Sequence, residues 1–350
     1  MKYLALSRAG DWDSALSGCV IVHDVRDERG AVQVPKGRIL DEADVERLRG
    51  LPWQELHVAR LAPEDVHEDE AGAGLARAAA GDGVRPGHRA GGHWPLCAMR
   101  RGIVQVDVHA LHEVNAREGL SVYTLFDGHV VDSGEMVARA KITPFAMASD
   151  VLEDALDVAR ASRGLVRVRG FQPGRVGAIV LTSLGERNPT TLSRFAKALG
   201  EKVCWLGSEL LEPVLVEAAR APIARAMDEL TSRDATVIVV AGSKAMDDLD
   251  PTFLALADLE AERVRHGVPA HPGSLFWIAR LRGVPVLGLP TCGLFSEATV
   301  FDLVLPRVLS GEGIGARELA ALGHGGFLTR DMTFRFPPYR AAQRRGEVID

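Results

Sequence analysis

Several features that would classify a chain at a glance are missing from this sequence. Its four cysteines, Cys19, Cys97, Cys204 and Cys292, stand far apart and form no CxxC pair, which argues against a zinc knuckle and against a disulfide framework. No window reaches the roughly 18 unbroken apolar residues of a membrane span. The opening MKYLALSRAGDWD holds an apolar run cut by Arg8, too short for a signal peptide. Positive charge is not in excess either: 41 Lys and Arg against 47 Asp and Glu give a formal net charge of -6. A duplex nucleic-acid binder usually carries a basic face. Neither nucleic acid nor a membrane is therefore an expected partner, and a reducing cytoplasm is the expected compartment.

What is present is a chain of 350 residues, 47% hydrophobic and 25% charged. That is the composition of a globular protein, and the length suits two domains rather than one core. The first half alternates short strand-like runs (CVIVHDV, GAVQVP, LHVARL, LSVYTLFDGHVVDSG, MVARAKITPFAM) with helical stretches (LDEADVERLRGL, HEDEAGAGLARAAAG, VHALHEVNAREG, ASDVLEDALDVARA). Such a pattern predicts a mixed α+β domain over 1–170.

The second half reads as strands alternating with helices. RVGAIVLT, EKVCWLG, ATVIVVAG and VPVLGLP are the strand candidates, near 175–182, 202–206, 236–241 and 284–289. Between them lie helical patterns: NPTTLSRFAKALG with Gly200 as its stop, EPVLVEAARAPIARAMDEL with a break at Pro222, and DPTFLALADLEAERVRHG with Gly267 as its cap. FSEATVFDLVLPRVLSG follows the last strand. This order predicts an α/β fold, a doubly wound, mainly parallel three-layer sheet, over 174–312. Residues 313–350 form a C-terminal tail. In such sheets ligands sit beyond the carboxyl ends of the strands.

Three loops follow those ends: TSLGERNPTT, AGSKAMDDLDP and GLPTCGLFS, the last preceded by HPGS. Each combines small residues with hydroxyls, and a helix N-terminus behind each favours an anion. The second loop adds Lys244 and the acids Asp247, Asp248 and Asp250. Acids repel a phosphate but suit a hydrated divalent cation. The plainer reading is a helix start, since Asp250 is a good N-cap and Pro251 suits the first helical position. Both roles are compatible. His109 and His112 lie one helical turn apart without further ligands, and read as an ordinary helix pair. Glu68, Asp69 and Glu70 read as acids complementing a helix dipole, and Cys292 as a small buried residue.

This arrangement resembles the molybdopterin-binding domain of the MoeA-like and MogA-like families over roughly 174–312. The family turn S-G-G-x-S-x-G-D-x-D is matched by AGSKAMDDLD, with Gly242 on a glycine and Asp248 and Asp250 on the two acids. Its P-G-K-P loop is matched by Pro272, Gly273 and Ser274, and its G-L-P-G-N-P loop by GLPTCGLFS. An early asparagine is matched by Asn188. Departures stand at Ser243, Ala245, Asp247, Ser274 and Thr291-Cys292-Gly293.

The resemblance implies a site that holds a pterin phosphate, molybdopterin or molybdenum cofactor. Its cofactor-binding residues would be Thr182, Ser183, Asn188, Gly242, Ser243, Lys244, Pro272, Gly273, Ser274, Pro290, Thr291, Gly293 and Ser296. Asp248 and Asp250 would be the catalytic and magnesium-binding pair. A homodimer and a client molybdoenzyme are implied as partners. Two functions stay open: a binder that serves cofactor biosynthesis or delivery, and a magnesium-dependent molybdenumtransferase acting on adenylylated molybdopterin. A third is a CinA-like nucleotide hydrolase built on the same domain.

Overall fold

A computed structural model describes the whole chain apart from residues 11, 14–15, 183–188, 244, 290–298 and 340–350. The chain divides into two compact units. The first holds Met1–Arg100, Val104–Asp127 and Asp132–Val168, and the second holds Arg101–Ile103, Gly128–Val131 and the chain from Arg169 onward.

The first unit is built of small antiparallel sheets. Lys2–Ser7 pairs with Glu55–Arg60, which also takes Val20–Ile21. A second sheet runs in the order Leu120–Thr124, Met136–Ile142, Trp94–Ala98, Val84–Pro86. The helices Glu42–Arg49, Glu68–Ala79, Val108–Asn115 and Ser149–Ala161 fall on the expected stretches. Asp41 caps the first of them in a reciprocal capping box with Asp44. Glu68, Asp69 and Glu70 open the helix that follows His67. His109 and His112 are exposed on their helix.

The second unit carries one seven-stranded sheet. Its order is Glu209–Leu210, Arg175–Leu181, Val237–Ala241, Val284–Leu289, Trp277–Leu281, Glu262–His266, and Val214–Val216 also pairs with Arg175–Leu181. The pairs at the centre are parallel, with Val180 beside Ala241 and Ala241 beside Leu289. The last two pairs are antiparallel. The β-branched runs are explained by burial on both faces. Val176, Ala178 and Val180 join one core cluster with Phe195 and Val304, while Ile179 and Leu181 join another with Ile223 and Phe253.

Three expectations need correction. Residues 202–206 are not a strand: the helix Pro189–Trp205 runs through Gly200. Its apolar stripe Phe195, Leu199, Val203, Leu206 keeps helical spacing and packs into one cluster, so tertiary burial overrides the glycine. The helix expected to reach Gly267 ends at Asp258, the backbone turns at Glu260 with φ 52°, and Glu262–His266 becomes an edge strand. Likewise Val214–Val216 is a strand, and the helix behind it starts only at Arg220, with Pro222 in its first turn. Among the described residues no helix is long and apolar enough to cross a membrane.

Candidate functional site

The carboxyl ends of the three central parallel strands lead directly into the three motif loops. Of the first loop, Thr182 is described, half-buried just past Leu181; Ser183 and Asn188 lie outside the described residues. In the third, Pro290, Thr291, Gly293 and Ser296 lie outside them as well, as does Lys244 of the second. What remains visible is the second loop's frame and the Pro272–Ser274 turn.

The second loop is shaped by its own acid. Gly242 takes φ 95°, a left-handed conformation that suits glycine, and its N–H donates to Leu289 O at 3.1 Å. Ser243 is buried and its hydroxyl donates to Asp250 Oδ1 at 3.1 Å. The Ala245 N–H donates to Asp250 Oδ2 at 2.9 Å, although Ala245 itself sits at φ 42°. Asp250 Oδ1 also accepts the Thr252 N–H at 2.8 Å as the N-cap of Pro251–Asp258. Each oxygen of this carboxylate therefore has protein donors. His266 closes the loop from the edge strand, its Nε2 lying 2.6 Å from Ala245 O, and its ring packs edge-on against Phe253.

Asp248 behaves differently. Its side chain is 78% exposed and pairs with Arg263. The Arg263 guanidinium, through its hydrogen bond and then its charge, holds the Asp248 carboxyl below the usual carboxylate range. Asp247 Oδ1 accepts the Leu249 N–H at 2.8 Å. Among the described residues, no group of three or more His, Cys, Asp or Glu could hold a metal ion. Asp250 accepts three protein donors, two on Oδ1 and one on Oδ2, so of its roughly four acceptor positions one, on Oδ2, is left for a cation.

The Pro272–Ser274 turn is tied into the same unit. Pro272 O accepts the Val300 N–H at 3.2 Å, and Ser274 O accepts the Val268 N–H at 2.9 Å. Gly273 has φ 111°, and a Cβ there would stand 3.1 Å from Val300. The helix N-termini behind the second and third loops are thus partly capped by protein: Thr252 N–H by Asp250, Val300 N–H by Pro272. An anion finds fewer free donors at these helix starts than the sequence pattern suggests.

A buried charge cluster missed by the motif reading lies at the start of Val300–Leu309. Asp302 closes a capping box with Thr299, accepting its N–H at 3.0 Å and its hydroxyl at 3.1 Å, and also accepts Lys202 Nζ at 2.5 Å. Burial raises the Asp302 carboxyl above its usual range, and Lys202 only partly counters it. The Tyr339 hydroxyl is buried, and burial with the nearby Asp302 raises it well above the usual phenol range. The Thr299-x-x-Asp302 spacing is a readable capping signal; Lys202, a hundred residues away, leaves none.

No family model matches the chain, and no curated protein matches it. Among solved structures the chain is similar to the molybdopterin biosynthesis MoeA protein of Pyrococcus horikosii, at 14% identity, 89% of this chain, 76% of that one and a TM-score of 0.32. It is also similar to a putative molybdenum cofactor biosynthesis protein of Corynebacterium diphtheriae, at 16% identity, 43% of this chain, 99% of that one and a TM-score of 0.29. A third is the tungsten cofactor synthesizing protein MoaB of Pyrococcus furiosus, at 18% identity, 35% of this chain, 84% of that one and a TM-score of 0.26. The structural neighbours are thus molybdopterin and related cofactor proteins, but superpositions this loose carry no argument about function, which rests on the residues of this chain.

Proposed function

We propose that the second unit binds molybdopterin, or the molybdenum cofactor built on it, and serves its biosynthesis or delivery. The observation that carries this reading is the alignment of three adjacent parallel strands, Arg175–Leu181, Val237–Ala241 and Val284–Leu289, whose carboxyl ends feed the three motif loops in chain order. In an open α/β sheet that edge is where ligands bind. The reading takes 1–170, 174–312 and 313–350 as the functional divisions and the sheet as a doubly wound, three-layer one. Thr182, Ser183, Asn188, Gly242 to Lys244, Pro272 to Ser274, Pro290, Thr291, Gly293 and Ser296 surround the ligand. A cytoplasmic homodimer passing its cargo to a client molybdoenzyme completes it.

Binding is favoured over catalysis by one feature of the second loop. Asp250 commits three of its roughly four acceptor positions to Ser243, Ala245 and Thr252, and Asp248 pairs with Arg263, so the two acids serve the loop and an ion pair rather than a preset magnesium seat. The decisive experiment is mass spectrometry of the ligand extracted from protein purified from a host able to make molybdopterin. A pterin phosphate recovered near one per chain is the expected result; its absence across preparations overturns the reading. Metal-dependent cleavage of adenylylated molybdopterin by the same protein would move the assignment to the transferase. Hydrolysis of a nucleotide pyrophosphate without pterin binding would move it to the CinA-like hydrolase.

A further inference from the structure

The first unit holds a side-chain cluster that the molybdopterin reading leaves unused. Glu55 and His57 stand two residues apart on the strand Glu55–Arg60, so they share its outer face, and both are exposed. His23, also exposed, follows the neighbouring strand Val20–Ile21. Val20 pairs with Ala59 and Ile21 with Val58, and the Val22 N–H donates to His57 O at 3.0 Å. Hydrogen-bonded backbone therefore carries both histidines.

His57 Nε2 lies 2.8 Å from Glu55 Oε1. A carboxylate only accepts, so in the neutral ring Nε2 carries the hydrogen and Nδ1 presents its lone pair. That Nδ1 lies 3.2 Å from His23 Nε2, with the ring centroids 5.2 Å apart. Two imidazoles on one tetrahedral metal, with bonds of about 2.1 Å, hold their ligand nitrogens roughly 3.4 Å and their centroids roughly 5.3 Å apart. Both separations found here lie close to those values. A carboxylate behind a histidine is also how metal-binding imidazoles are oriented.

The donors set the cation. Imidazole nitrogens suit zinc and copper(II), whereas magnesium and calcium take oxygen. Among the described residues no third His, Cys, Asp or Glu joins the pair, so water completes the coordination, as at an open site. We propose that His23 Nε2 and His57 Nδ1 chelate a divalent late first-row cation, zinc or copper(II), with Glu55 as the positioning residue behind His57. The site lies in the first unit and stands or falls without the pterin reading.

The test is calorimetric titration of the full, tag-free, metal-stripped chain with zinc chloride and with calcium chloride. Saturable zinc binding is expected, with calcium far weaker. His23→Ala and His57→Ala each break the chelate and should weaken zinc about tenfold or more, because the remaining ring loses its partner's high effective concentration. Both rings are exposed, so each variant should melt with the metal-free parent. Glu55→Ala should weaken zinc severalfold at an unchanged melting temperature, and Glu55→Gln, which still accepts from Nε2, should restore most of the loss. His109→Ala, on the helix Val108–Asn115, should keep the parent affinity. With copper(II) chloride, electron spin-echo modulation should show two imidazoles in the parent and one in either histidine variant. No saturable zinc binding at millimolar concentration, undiminished binding by His23→Ala or His57→Ala, or an equal loss in His109→Ala would each overturn the proposal and leave the pair a hydrogen bond between two rings.

Discussion

Two strand-to-helix junctions of the second unit place an acid at a helix start, and they use it in opposite ways. At Asp250 the carboxylate is half-buried, meets only neutral donors, and folds the loop that precedes it. At Asp302 it is buried, and a lysine from a distant helix balances it. The first is a local device whose cost is spread over several hydrogen bonds. The second concentrates charge where water cannot help, so removal of a single partner leaves the other stranded. The difference separates loop shape, which function can exploit, from packing, which it cannot.

The sharpest way to break the contrast is Lys202→Met. It keeps the apolar stem and strips the ammonium, leaving Asp302 buried without its counter-charge, and should cost about 3–5 kcal/mol in denaturant unfolding. The pH dependence carries the sign. Asp302 has its folded value raised by burial, so its contribution is fully present below the unfolded value and is lost as pH rises through the folded one. Without Lys202 the folded value climbs further, and the deficit against the parent should shrink as pH falls and the acid takes up its proton. A deficit that grows in acid would show that the pair is not the cause.

Asp250→Ala is the next largest. It removes the N-cap and both loop contacts, and should cost about 1–2 kcal/mol, with Asp250→Asn costing less, because asparagine keeps the cap on Thr252 while its NH2 cannot accept the Ala245 N–H. Ligand binding should fall in the alanine variant, since Ser243 and Ala245 lose their anchor, and fall less in the asparagine one, which keeps the Ser243 contact. Equal affinity for all three proteins would detach this loop from the site.

How much of this was legible in the sequence differs between the same junctions. The Asp250-Pro251 dipeptide announces a helix start, and that helix begins at Pro251. The four helices of the first unit were readable too, because caps and apolar stripes are local. The strand mistaken at 202–206 and the helix overrun to Gly267 share one cause: both were decided by burial against distant elements rather than by the local pattern. Arg263 and His266 could not be connected to the acid loop beforehand, because only the edge strand Glu262–His266, itself unexpected, brings them there. Of the third motif loop, Gly288 and Leu289 end a strand, and the rest, from Pro290 to Ser296, lies outside the residues the structure describes.

A third junction, in the first unit, tests whether capping acids share a signature. Asp107 accepts the Ala110 N–H at 3.0 Å and the Ser162 hydroxyl at 2.7 Å, and these hydrogen bonds, the Ala110 one foremost, lower its carboxyl. A lowered folded value contributes stability above the unfolded value, about pH 4, and loses it as pH falls through the folded one. Hydrogen exchange over Val108–Asn115 should accordingly loosen in acid in the parent and respond less to pH in Asp107→Asn. An unchanged acid response in the variant would assign the loss to other carboxylates.

The smallest effect is expected at Asp248, and it discriminates most. The carboxylate is exposed, and its partner Arg263 is 43% exposed; surface pairs of this kind add little because water screens them and two long side chains must be ordered. Asp248→Asn should therefore leave the melting temperature unchanged. If the second unit only binds, pterin affinity should also be unchanged, with or without magnesium, because Asp250 then serves the loop and the helix cap rather than a cation. If the protein is instead a transferase, Asp248 must turn from Arg263 to a magnesium ion when substrate arrives. Parent affinity would then rise with magnesium, and the variant would lose that increment alone. Titration of molybdopterin into both proteins across a magnesium series distinguishes the two, since stability cannot mimic a metal-dependent difference between variants that melt together.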